Sequence, residues 1–185
     1  MGHALEERQR AFERLFRDTR TDLLAYALRR SQTAEDAADI LAETYLIAWR
    51  RLETIPTGEL TRPWLFGVAR NLLLKGASRR RSADALVLRL GAELRNVGWR
   101  TQGEDRDRRD DLLAALAALS QTDREILTLT AWERQTPKQI AATLGVSANV
   151  VRVRLHRART RVRLRLRAAR MTSRGIECVA VEREF

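Results

Sequence analysis

The sequence predicts an all-α protein: two small helical domains joined by a flexible linker, the C-terminal one a helix-turn-helix domain. Three observations carry that prediction. The chain of 185 residues holds only three Pro and nine Gly, and its long runs are rich in Ala, Leu, Arg and Glu, which favour helix over strand. Apolar residues recur at spacings of three and four, the period of a helix with one buried face. Basic residues fall into two blocks that contain no Asp or Glu, so the chain has two separate positive footprints.

Those blocks are sharply bounded. Met1 to Leu60 holds 9 basic and 11 acidic residues, and Ser82 to Thr136 holds 8 and 10. Thr61 to Arg81 holds 6 basic residues and Pro137 to Gly175 holds 11, with no acidic residue in either. A solvated arginine face would explain either block alone. Exclusion of acids from both, in a chain that uses them freely elsewhere, points to phosphate contact, which gains free energy by releasing condensed counterions. With 44% hydrophobic and 32% charged residues, uniform disorder is excluded. A single Cys178 excludes an internal disulfide, and His3 and His156 are isolated, so neither zinc-ligand spacing nor a cofactor site is indicated. No apolar run approaches the ~20 residues of a membrane span, and MGHALEERQR lacks the apolar core of a secretion signal. A cytoplasmic protein without membrane insertion is expected.

In chain order, Thr33 to Leu52 reads as a helix with Ala38, Leu41, Tyr45, Ala48 and Leu52 inward and a capping box from Thr33 to Asp36. Asp36, Asp39 and Glu43 follow one side, beside Ile47. A metal site there has no supporting His, and acids near a helix start are expected from the macrodipole. A docking face for a partner fits better. Pro56 and Gly58 mark a loop in ETIPTGEL. The next helix has Pro63 near its first turn, Trp64, Leu65, Val68, Leu72 and Leu73 inward, and Arg62, Arg70, Asn71, Lys75 and Arg79 outward. Trp64 and Phe66 suit either the core or stacking on unpaired bases.

The second half begins with DDLLAALAALS, an amphipathic helix using Leu112, Leu113, Leu116 and Leu119. TDREILTLTAWE follows, with a capping box expected from Thr122 to Glu125 and then apolar Ile126, Leu127 and Leu129. In TPKQIAATLGVSANVV, Thr136 and Gln139 form a capping box around Pro137, Gly145 suits a left-handed stop, and Ser147 caps the next helix. The arginine-rich stretch VVRVRLHRARTRVRLRLRAAR alternates like a strand, but a strand of that length would stand far beyond the usual ~5 to 6 residues with nothing to pair with. As a helix it shows a continuous stripe of Val151, Leu155, Ala158, Val162 and Leu166. A short helix, a tight turn and a long basic helix make a helix-turn-helix.

AFERLF, TAEDAADILAETYLIAWRRL, RPWLFGVARNLLL, LAALSQTDREILTL and TPKQIAATLGVSANVVRVRLHRAR together resemble, in order, the extracytoplasmic-function (ECF) sigma factors of bacterial RNA polymerase. The resemblance implies a non-enzymatic subunit that binds core RNA polymerase, recognises promoter DNA and promotes initiation. It implies an N-terminal sigma domain two over residues 1–81, a flexible linker over 82–109, a sigma domain four over 110–170 and a short tail over 171–185. Asp36, Asp39, Glu43, Leu46 and Ile47 would then face the polymerase. Arg62, Trp64, Arg70, Asn71, Lys75 and Arg79 would meet the non-template strand of the opened promoter.

In the recognition helix, Asn149, Arg152 and Val153 would approach bases of the upstream duplex element, since Asn pairs with adenine, Arg with guanine, and Val meets a thymine methyl. Arg154, Arg157 and Arg159 would hold its phosphates, with Ala148 and His156 among the DNA-facing residues of the same helix. A cognate anti-sigma factor would be a further partner. Lys75, Gln139 and Val150 depart from the family's usual residues, so promoter sequence does not transfer. The main rival is a stand-alone helix-turn-helix regulator that reads its operator without polymerase. No nucleophile with its base is visible, which speaks against an enzyme.

Overall fold

The computed structural model describes residues 2–77 and 103–181, and these fold as seven α-helices and two short 3-10 turns. The first three helices are α1 (Gly2–Leu28), α2 (Ala34–Arg50) and α3 (Thr61–Ala77); the other four are α4 (Gly103–Ala117), α5 (Gln121–Ala131), α6 (Pro137–Leu144) and α7 (Ala148–Val181). Most of the expected 82–109 linker lies outside the described residues, and 103–109 form the first turns of α4.

Along α1, Phe12, Leu15, Thr19, Leu23 and Tyr26 recur every three or four residues and turn toward α2 and α3. Thr19 is tolerated in that stripe because its hydroxyl lies 2.6 Å from the Leu15 carbonyl and 2.7 Å from the buried Tyr45 hydroxyl. Edge-on contacts of Phe12 with Tyr45 (6.0 Å) and Trp49 (5.2 Å) complete the α1–α2 seam.

The Thr33–Asp36 capping box forms as expected, each side chain meeting the other residue's backbone N–H. The buried face of α2 differs by one position. Ala37, Thr44, Tyr45 and Ala48 are buried, whereas Ala38 is exposed. Two adjacent alanines offer no contrast in size, so only the angle at which α2 meets α1 selects between them. In α3, Leu65, Phe66, Ala69 and Leu72 are buried, with Trp64, Val68 and Leu73 at the margin. Phe66 joins the core edge-on to Tyr26 at 4.9 Å.

Ser120, not Thr122, caps α5: its hydroxyl accepts from the Asp123 N–H, and the helix begins at Gln121. The expected partner Glu125 is unavailable because it is buried and turned toward Tyr26 and Arg70. Buried Arg124 donates to the carbonyls of Leu116, Ala117 and Leu119, closing the exposed end of α4. The Thr136–Gln139 box, the left-handed Gly145 (φ 68°, ψ 35°) and the Ser147 cap all form where expected.

The two halves pack against one another and share one apolar cluster, from Leu23, Tyr26 and Phe66 to Ile126, Ile140, Val151 and Leu155. Gly67 permits this approach, since a Cβ there would stand 3.2 Å from the Thr143 carbonyl oxygen of α6. Around the cluster runs a polar seam. Arg29 reaches both Glu133 oxygens at 2.7 Å, with Arg30 at 3.6 Å from the same carboxylate and 3.0 Å from Thr128. Arg70 donates to Glu125 at 2.9 Å, and the Tyr26 hydroxyl donates to that carboxylate at 3.4 Å. Burial pushes the Tyr26 phenol well above its ordinary range, so it stays a neutral donor.

Candidate nucleic-acid interface

The turn between α6 and α7 places the long basic helix. Gly145 adopts the conformation L side chains resist, the Val146 N–H returns to the Ala141 carbonyl, and Ser147 then starts α7. Val151, Leu155 and Ala158 anchor one face of α7 in the core. The opposite face is thereby presented outward: Asn149, Arg152, Val153, His156, Arg157 and Arg159 are exposed, with Ala148 half-buried at its root. Val146, Val150 and Val153 are exposed apolar residues at the same end.

Arg154 departs from this set. Its Nε donates to Asp123 at 2.8 Å, and Arg161 lies 3.2 Å from the other oxygen of the same carboxylate. Burial disfavours the Asp123 charge, but hydrogen bonds from Arg154 and Ser120 and the charges of Arg154 and Arg161 outweigh it, so the carboxyl is held below its ordinary range.

The opened-strand candidates are dispersed between contacts and solvent. Asn71 and Lys75, one turn apart on α3, are exposed. Arg62 pairs with Asp22 at 2.8 Å and lies over the Phe66 ring, and Arg70 is held by Glu125. Trp64 is half-buried against the core, and Arg79 lies outside the described residues. On α2, Asp39, Glu43 and Leu46 are exposed with Ile47 half-buried, so an apolar residue 47% accessible sits beside two carboxylates. Asp36, offered with them, is occupied in the cap.

Sequence reasoning missed Asp123, Arg124 and Glu133 and gave Glu125 a capping role; all four are buried charges. Their signal is weak: charged residues inside the apolar run around Ile126 and Leu129.

Two family models match the chain, Sigma-70 region 2 over residues 15–83 and Sigma-70 region 4 over residues 109–162. The ECF RNA polymerase sigma factor SigL of Mycobacterium tuberculosis is 34% identical over 139 residues, covering 74% of this chain and 77% of that protein. The chain belongs to the ECF sigma factors of RNA polymerase. The RNA polymerase sigma-E factor of Streptomyces coelicolor is similar along the whole length, 29% identical over 184 residues and 96% of that protein. Among solved structures, CnrH in complex with the cytosolic domain of CnrY is similar at a TM-score of 0.58 and 24% identity, over 86% of this chain and 90% of that one. RpoE in complex with the anti-sigma factor NepR, from Bartonella quintana, gives 0.52 and 20%, over 90% and 98%. These two support the fold. An RNA polymerase sigma factor acts in transcription initiation with the polymerase and promoter DNA, and the stand-alone regulator is not favoured.

Proposed function

We propose that this ECF sigma factor divides its work among three surfaces. The exposed face of α2 with Asp39, Glu43, Leu46 and Ile47 docks on core polymerase, where an apolar residue inside an acidic rim suits a basic, partly apolar partner. Asn71 and Lys75, joined by Arg62 and Arg70 once their carboxylates release them, hold the opened non-template strand. Asn149, Arg152 and Val153 read the upstream duplex element while Arg157 and Arg159 hold its phosphates. The protein itself performs no chemistry, acts in the cytoplasm, and is held in check by an anti-sigma partner of the kind seen with RpoE.

One observation carries the duplex reading: α7 buries Val151, Leu155 and Ala158 and leaves a face of Asn, Arg and His without a carboxylate partner among the described residues. Transcription with purified core polymerase on a pool of genomic promoters tests it. Addition of the protein is expected to start transcripts at a restricted set of promoters, and an unchanged transcript profile would refute the reading. Arg152→Ala should change which promoters are chosen, whereas Arg157→Ala should weaken all of them alike.

A further inference from the structure

We propose that Asp123 is a positioning residue for promoter recognition, which ties α7 to α5 through Arg154 and Arg161 and withdraws both arginines from phosphate contact. The inference rests on the duplex-reading role of α7. Asp123 lies in the first turn of α5 with its side chain 7% exposed, while Arg154 and Arg161 are 40% and 59% exposed. The carboxylate is therefore the fixed end of the bridge, and the two guanidiniums come to it. Both oxygens are used, one for each arginine.

Arg154 and Arg161 are seven residues apart, two turns along one edge of α7, so a single carboxylate grips the helix at two levels. Two grips along one edge of α7 add to the apolar anchor of Val151, Leu155 and Ala158 and limit the small rotations and tilts that packing on one face leaves. The bond to Arg154 is made at Nε, nearest the stem, so it fixes the plane of the guanidinium close to the backbone that Arg152 and Val153 share. A binding group must be held within ~10–20° of its productive geometry, so even a small rotation of a loosened α7 would take Asn149 and Arg152 off their base edges. A lone charge is not left buried by this arrangement, and the lowered carboxyl pKa agrees with an anchor that is ionised at neutral pH.

The rival account is that Asp123 merely stands in for a DNA phosphate in the unbound protein. Salt dependence separates the two, because each phosphate contact contributes about one to the slope of log affinity against log salt. Polymerase holoenzyme carrying the full chain would be titrated with a promoter duplex and with the same duplex scrambled in its upstream element, from low to moderate salt. Arg154→Gln is expected to leave the slope unchanged and to reduce the promoter-to-scrambled ratio about tenfold, the effect of one misplaced base contact. Arg157→Gln should lower the slope by about one and keep the ratio. Asp123→Asn should reduce the ratio as Arg154→Gln does, and Asp123→Glu, which keeps a carboxylate for both arginines, should recover part of it, which a general loss of folding would not allow.

A slope lowered by about one in Arg154→Gln would make Arg154 a phosphate ligand and overturn the proposal. So would an unchanged ratio in both single variants. A wild-type ratio of one would instead overturn the duplex-reading role itself, and the positioning role with it.

Discussion

Glu133 tests whether the seam between the halves is built on charge. Its side chain is 2% exposed and receives two 2.7 Å hydrogen bonds from Arg29, itself 11% exposed, with Arg30 at 3.6 Å and 9% exposed. Glu133→Gln keeps the shape and one acceptor oxygen but removes the charge opposing two guanidiniums. Breaking one side of a buried ion pair costs about 3–5 kcal/mol, because the remaining charge has lost both water and partner. For a chain of this size each kcal/mol moves the melting midpoint by about 2–4 °C, so a fall of about 6–20 °C is expected. Thermal unfolding followed by circular dichroism measures it. Glu53→Gln is the control: its partner is Arg8 at 3.1 Å, but its side chain is 82% exposed, and an exposed pair contributes at most about 1 kcal/mol. Equal shifts for the two variants, or a shift below about 2 °C for Glu133→Gln, would refute the view that burial makes this contact matter.

Further outcomes follow from single positions. Gly145→Ala places a side chain at φ 68° where no atom lies within 4 Å of its Cβ, so the loss should be the conformational cost alone, about 1–2 kcal/mol by urea unfolding. Gly67→Ala must move the Thr143 carbonyl a few tenths of an ångström, and Gly67→Leu must part α3 from α6; the leucine variant should lose about 1–3 kcal/mol more than the alanine variant in the same assay. Thr33→Ala removes a capping box and should lower stability by about 1 kcal/mol. The Asp123 carboxyl has a folded pKa below its ordinary 3.8, so its contribution is present above 3.8 and is lost as pH falls through the lower folded value. Urea midpoints measured from pH 6 down to pH 3 should therefore fall more steeply in the wild type than in Asp123→Asn.

Much of the architecture was legible because it is written in short-range patterns. A stripe such as Val151, Leu155 and Ala158 needs only helical period, and the Thr33–Asp36 and Thr136–Gln139 boxes need only four residues each. Ala37 against Ala38, and Ser120 against Thr122, were decided elsewhere. In both cases two neighbouring residues had equal local claims, and the packing of another helix chose between them.

The candidate site divides along the same line. That α7 is basic, helical and anchored by one apolar face follows from residues 151–166 by themselves, and the acid-free character of Thr61 to Arg81 from that stretch by itself, since both are properties of contiguous chain. Which arginines remain available was settled only in three dimensions. Arg70 meets a carboxylate 55 residues away, Arg29 one 104 away, and Arg154 one 31 away. Charge pairing over such separations depends on which helix faces meet, and no periodicity in a single helix encodes that.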